Sequence, residues 1–412
     1  MSGTMKVVKA GRMVDPEAGA VIEDVVVVIS GDRVEAVVSA VDAPEGVEAL
    51  DLSGYTVMPG LIDCHAHMIG ELEGGHGYAE LVMTTGAREA MTGVRNARET
   101  LLAGFTTVRD VGTFRAFVDC AVRDAIEAGW TAGPRMLCSG AYVTSPGGGG
   151  DITGLAPDVD AAVPRDLRFG VSRNVDEVRD AVRRILHGGA EMIKVIATGA
   201  VLTEGTLPGA PEFSEEELRA AVDEAALYGA FVAAHAHGAE GIKRAVRSGV
   251  RSIEHGSLMD DEAISMMAEH GTWLVADIYN GDWINEQGKR EGWSADVMRK
   301  NEETTEAQRE GFREAVEAGV KIAYGTDSGV YPHRFAGRQL AYMVGHGMTP
   351  MQGLQAATIR AAECLGWEDR VGSIAPGKFA DLIAVGGDPL AVNLETMTDV
   401  QFVMKGGEIY KG

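Results

Sequence analysis

The sequence predicts an α/β fold: a (β/α)8 TIM barrel with a small β-sandwich built from both chain ends. Three observations carry this. From Leu61 onward, eight short apolar segments alternate with helical segments over the roughly 250 residues such a barrel needs. Before residue 59 and after residue 370 the chain reads as strands and turns with no sustained helical period. The first barrel strand follows a Pro59-Gly60 turn and ends in His65-Ala66-His67, an i, i+2 spacing that turns both imidazoles to one face.

Taken in order, residues 6–10, 21–29, 33–38 and 55–58 read as strands bounded by Gly, Asp and Pro turns. The barrel strands are expected at 61–65, 106–109, 135–139, 192–196, 231–235, 252–255, 272–275 and 321–324. The clearest helical periods lie at 87–102, 175–186, 215–228, 260–270 and 304–318, with a last barrel helix over 350–365. Ser214 and Glu217 form a capping box that fixes one helix start. A doubly wound open sheet is the competitor, but its first turn should carry a Gly-rich phosphate loop, and none follows strand one. Residues 144–157 read as a long loop after strand three, containing four consecutive glycines at 147–150. Strands at 381–385, 401–404 and 408–410 close the chain. The expected division is a sandwich part over 1–58, the barrel over 59–370, and the other sandwich part over 371–412.

Charge narrows the partners. Lys and Arg number 37 against 61 Asp and Glu, a formal −24. A phosphate backbone wants clustered cations, so nucleic acid and anionic membrane surfaces are excluded as partners. A well-solvated surface accounts for the acidity. Four scattered cysteines without a C-x-x-C pair do not make a disulfide framework, and a reduced, cytoplasmic setting is expected. No apolar leader or membrane-length run is present in the sequence. A small-molecule substrate and a homo-oligomer are expected.

Barrel active sites sit at the C-terminal ends of the strands. Collecting polar residues there gives His65, His67, Lys194, His235, His255 and Asp327. Lys194 stands among Met192, Ile193, Val195 and Ile196, where an ammonium is costly to bury. Burial favours the free amine, which reacts with carbon dioxide to give a carbamate able to bridge two cations. Four histidines, a carboxylate and a carbamate suit two divalent ions of the Zn type.

These residues sit in segments that resemble the amidohydrolase superfamily, in its binuclear, carboxylated-lysine subtype. Pro-Gly-Leu-Ile-Asp-Cys-His-Ala-His opens the barrel and Gly-Ser-Ile-Ala-Pro-Gly-Lys-Phe-Ala-Asp-Leu closes it. Thr-Thr-Val-Arg-Asp, Ala-His-Ala-His-Gly, Ile-Glu-His-Gly-Ser and Gly-Thr-Asp-Ser-Gly-Val resemble the imidazolonepropionase-related branch, with its prolidases and Xaa-amino-acid dipeptidases. The resemblance implies that His65 and His67 bind the buried metal beside Asp327, that His235 and His255 bind the outer one, and that Lys194 bridges. His237 could replace His235 as a ligand; the family pattern leaves it near the substrate. Relatives often carry a histidine in the glycine loop after strand three, whereas here Gly149 takes that place.

The implied reaction is hydrolysis of an amide in a dipeptide or N-acyl amino acid with a free carboxylate. A metal-bridging hydroxide attacks, and Asp327 is general acid/base. His237, His333 and Arg338, with Arg334, are the candidates for holding the carboxylate, and Arg109 is the fallback. Tyr279 and Trp283 either line a pocket or pack in the core. His76, His187, His270 and His346 are expected at the surface, and Cys64 in packing. Cyclic-amide or toxin and xenobiotic amide hydrolysis are the alternatives. Deamination is disfavoured by Lys194, and an inactive scaffold by the complete ligand set.

Overall fold

The computed structural model describes residues 5–44, 46–47, 49–70 and 79–412. Four strands begin the chain: β1 (Met5–Asp15), β2 (Ala20–Ser30), β3 (Arg33–Ser39) and β4 (Ala49–Pro59). Barrel strands follow as β5 (Leu61–Ala66), β6 (Phe105–Asp110), β7 (Arg135–Cys138), β8 (Tyr142–Val143) and β9 (Ile193–Ile196). The set continues with β10 (Val232–Gly238), β11 (Ser252–Leu258), β12 (Trp273–Val275) and β13 (Lys321–Ile322). The chain ends in β14 (Leu382–Val385), β15 (Val400–Lys405) and β16 (Glu408–Lys411).

The barrel is a ring of parallel strands. β5-β6-β7 form one run and β8 through β13 the other. One seam closes where Cys64 N–H donates to the Tyr324 carbonyl at 2.8 Å and Ala66 bridges Ser328 in parallel. The second closes where Glu191 N–H donates to the Cys138 carbonyl at 2.9 Å. β7 and β8 are successive pieces of the third strand, separated by a bend at 139–141. Gly325 is required for this closure, because a Cβ there would stand 2.9 Å from the His65 Cβ and 2.3 Å from Val275.

Both chain ends enter one seven-stranded sheet in the order β16-β15-β14-β4-β1-β2-β3. The expected pairing of the two ends is the antiparallel β4–β14 ladder, Pro59 opposite Leu382 through Thr56 opposite Val385. The run Val25 to Ile29 is buried along its whole length because it feeds two cores. Val25, Val27 and Ile29 pack with Val8, Leu382 and Phe402, while Val26 and Val28 pack with Val7 on the other face.

Two helices differ from expectation for stated reasons. The period at 304–318 is the second half of Ala295–Glu317. Its first half buries Lys300 and Asn301, so polar residues interrupt the apolar stripe. The helix expected over 350–365 is broken into Pro350–Ala356 and Ile359–Leu365. At the break, the carbonyls of Ala356 and Ala357 accept from Tyr324 N–H at 2.9 Å and Ile62 N–H at 2.8 Å, leaving the helical ladder to hold barrel strands. The capping box at Ser214 is present. Among the described residues no helix is long and apolar enough to cross a membrane.

Candidate metal centre and substrate cavity

At the C-terminal ends of the barrel strands lies a cavity of about 730 Å³. His65, His67, Lys194, His235, His237, His255, Asp277 and Asp327 line its polar floor. β5 supplies the first pair. His65 Nε2 stands 3.4 Å and His67 Nε2 3.0 Å from Asp327 Oδ1. Each ring is fixed from behind: His65 Nδ1 meets Glu254 Oε2 at 2.8 Å, and His67 Nδ1 meets the Gly112 carbonyl at 2.6 Å. Glu254 is in turn held by Arg109 Nη2 at 2.7 Å. Arg109 is wholly buried, bonded also to the Cys64 carbonyl and Ser252 Oγ, so it braces the barrel interior and does not face the cavity.

Asp327 is placed by its backbone. Its N–H donates to the His65 carbonyl at 2.8 Å, and the preceding Thr326 is tied to Asp63 through Oγ1 at 2.5 Å. Asp327 has φ 57° and His255 φ 69°, left-handed values that cost a non-glycine residue about 1–3 kcal/mol. Such strain persists where the surroundings over-determine it, which these hydrogen bonds do. Asp327 Oδ2 receives Asn280 Nδ2 at 2.7 Å. Burial opposes its charge, yet His65 and His67 hold its carboxyl well below the usual carboxylate range.

The second group is His235, His237 and His255, whose ligand-type atoms lie within 4.8 Å of one another. His255 Nδ1 meets Asp277 Oδ1 at 2.9 Å, and His237 Nδ1 meets Ser257 Oγ at 2.8 Å. His235 Nε2 lies 3.2 Å from the Gly199 carbonyl. Burial and the neighbouring His255 push the His237 imidazole down to about 3, so it stands neutral at pH 7. Lys194, from β9, is 1% exposed and lowered to about 8, chiefly by burial, against the pull of Glu254.

The donor set fits divalent cations. His65 Nε2 is buried without a hydrogen-bond partner and faces a carboxylate, while its other nitrogen is locked by Glu254. That is the posture of a ligating imidazole with an oriented second nitrogen. His255 with Asp277 repeats it.

The structure brings His65, His67, Lys194, His235, His255, Asp327 and His237 around one cavity. It does not bring His333 or Arg338 there. His333 is 2% exposed and bonds Thr100 Oγ1 at 2.8 Å, because the 3-10 turn His333–Phe335 packs back on the helix Gly86–Leu102. Arg338 donates to Tyr279 OH at 2.8 Å and lies over the Phe335 ring. Arg334 pairs with Glu99 at 3.7 Å. Tyr279 and Trp283 pack on Tyr331 outside the lining. Cys64 packs with Cys364 and Leu365. His187 and His270 are exposed, His346 is half-buried, and His76 lies outside the described residues. Sequence reasoning missed Asp277, Asn280, Gln308 and Glu254. The strand-end rule that gave Asp327 also gives Asp277, two residues past β12.

The walls are largely apolar: Ile69, Phe114, Ile196, Leu202, Ile284 and Val330. Arg88 also lines the cavity, and its guanidinium has no ion-pair partner among the described residues.

A parallel barrel with imidazoles, carboxylates and a lysine gathered at its strand ends defines a hydrolase of the metal-assisted kind. The model of the Amidohydrolase family matches residues 56–412, and the chain belongs to that family. An ochratoxinase of Aspergillus niger is 32% identical over 98% of this chain and 86% of its own length. The crystal structure of a Xaa-Pro dipeptidase with bound methionine superposes with a TM-score of 0.92 at 37% identity, covering 99% of this chain and 100% of that one. An imidazolonepropionase of Micrococcus luteus is 26% identical over 92% of both chains. The relatives thus fall in the imidazolonepropionase and prolidase branch, and the chain is an amidohydrolase.

Proposed function

We propose that the chain hydrolyses the amide bond of a dipeptide or N-acyl amino acid carrying a free C-terminal carboxylate. The observation that carries this reading is the donor set around His65 Nε2 at the floor of a largely apolar cavity. His65, His67 and Asp327 would hold one divalent cation and His235 and His255 a second, with Lys194, as its carbamate, between them; zinc is the proposed metal. Bound there, the pair would supply Lewis-acid polarisation of the scissile carbonyl and an acidified water.

The chain's own residues do the rest. Asp327 takes the proton released by the attacking water and returns it to the leaving nitrogen, a shuttle worth roughly 10²–10⁴-fold. Glu254 and Asp277 keep His65 and His255 in one orientation by accepting from Nδ1. Asn280 fixes Asp327 through Oδ2, leaving Oδ1 toward His65 and His67. The apolar walls exclude water from the acyl group.

Arg88 takes over the role expected of Arg338, reading the substrate carboxylate, with His237 as a second donor. The cavity lies in the upper part of the ~300–1,000 Å³ range of small-molecule sites, which favours a bulky acyl group. This supports a toxin-like or xenobiotic amide as the second reading. The four cysteines are unpaired and buried, in keeping with the cytoplasmic setting proposed here.

The test is kcat/KM on an N-acyl amino acid and on its C-terminal amide. The acid should be preferred roughly tenfold to hundredfold, the ~1.5–3 kcal/mol of one charge-assisted hydrogen bond. Arg88→Gln and His237→Ala should erode the preference, and Arg338→Ala should leave it. Equal rates on acid and amide in the wild type would refute the carboxylate-reading dipeptidase assignment.

A further inference from the structure

We propose that Lys300 is a positioning residue: its buried ammonium clamps the loop 200–206 that forms one wall of the cavity, and so sets which acyl groups fit. Lys300 is fully buried in the helix Ala295–Glu317. Its Nζ donates to the carbonyls of Thr203 at 2.7 Å, Ala200 at 3.3 Å and Thr206 at 3.4 Å, and pairs with Asp296 Oδ2 at 2.9 Å. Three carbonyls of one seven-residue loop thus converge on a single cation. An ammonium has three donors and no acceptor, so these four surrounding oxygens leave none of its donors unpaired.

The clamped loop is functional surface. Ala200, Val201, Leu202 and Thr203 line the cavity, and Lys300 itself does not. Thr203 Oγ1 donates to the Gly149 carbonyl at 2.6 Å, and Gly149 N–H donates to Glu212 Oε2 at 2.8 Å. The clamp therefore also fixes the glycine loop. A Cβ at Gly149 would stand 3.1 Å from Ala200 N, Ala200 Cβ and Ile196 Cγ2. The wall occupies the space that a larger residue at 149 would need. From the same helix, Gln308 Nε2 donates to Asp277 Oδ1 at 2.8 Å, so wall and floor share one rigid support.

The clamp is tested on the full-length protein as Lys300→Met, which keeps the stem and removes the donors, and Lys300→Arg. Hydrogen exchange should rise at amides 199–206 in Lys300→Met and stay unchanged in the seven-stranded sheet. On the amide-hydrolase reading, KM for N-(1-naphthoyl)-L-phenylalanine should rise roughly tenfold or more, and kcat on N-acetyl-L-phenylalanine should stay within about twofold. Lys300→Arg should recover part of the KM shift. Unchanged exchange at 199–206 in folded Lys300→Met overturns the clamp, as does an equal loss on both acyl groups. Where Lys300→Met does not fold, Lys300→Gln, which leaves at most one amide group for the three carbonyls, should raise exchange at 199–206 and shift the same ratio; no change in either overturns the proposal. A wild type that cleaves neither amide sinks the hydrolase reading, while the exchange result still decides the clamp.

Discussion

Lys194 and Lys300 are both fully buried lysines, and their surroundings answer the cost of burial in opposite ways. Lys300 is given three carbonyls and a carboxylate. Lys194 lines the polar floor with its basicity lowered to about 8, which enriches the free amine near neutral pH. On the function proposed above, only the second would become a carbamate and so hold cations. Lys194→Ala should therefore drop the metal content from about two equivalents per chain by elemental analysis, with activity falling in parallel and partly restored by acetate. A variant that keeps both equivalents shows that Lys194 is a packed core residue. Apart from Asp277, the floor residues were named from the sequence because they end apolar strands, a local signal. His333 and Arg338 were not, because a loop's return onto Thr100 and Tyr279 is fixed by contacts far along the chain.

At the scale of elements, helices were readable where one apolar stripe faces the barrel and unreadable where polar side chains are buried. The helix Ala295–Glu317 hides its first half because Lys300 and Asn301 point inward, Lys300 to the loop 200–206 and Asn301 to the Gly281 carbonyl of the helix Asn280–Glu291. The glycine loop was visible as a loop, but its partner Glu212 was not. Glu212 is raised from 4.5 to about 7, chiefly by burial, with the Gly149 N–H opposing. The folded state therefore binds more protons than the unfolded state between those values, and stability falls as pH rises through that window. Glu212→Gln keeps an acceptor for Gly149 and removes the titration. Melting curves from pH 4 to 9 should show the variant gaining on the wild type by about 1–3 kcal/mol between pH 4.5 and 7, allowing for partial exposure, with no further change above. Parallel curves across that range would mean that Glu212 is solvated in the folded protein.

Over the whole molecule, the β-rich ends and their union were legible in the pattern of strands and turns at both termini, while the strand that joins them, β4 against β14, and its register come from the structure. We propose that the sheet, with divisions near residues 59 and 370, is a unit distinct from the barrel. Its inner core of Val8, Val27, Leu382 and Phe402 contains none of the candidate ligands. Those ligands stand on β5, β9, β10 and β11 and just beyond β13, so two cations would tie five strand ends together. An ion that binds only the folded state at a thousandfold its Kd adds about 4 kcal/mol per site. Removing the cations should thus loosen the barrel's C-terminal face and leave the sheet alone. Hydrogen exchange after chelation should accelerate at 64–68, 194–199, 235–238, 254–258 and 326–329, return on adding zinc, and hold constant in β1, β2 and β14. Acceleration of equal size in the sheet would mean that sheet and barrel unfold as one cooperative body. No acceleration anywhere would mean that the strand ends are held by Glu254, Asp277 and Asp63 without help from a metal.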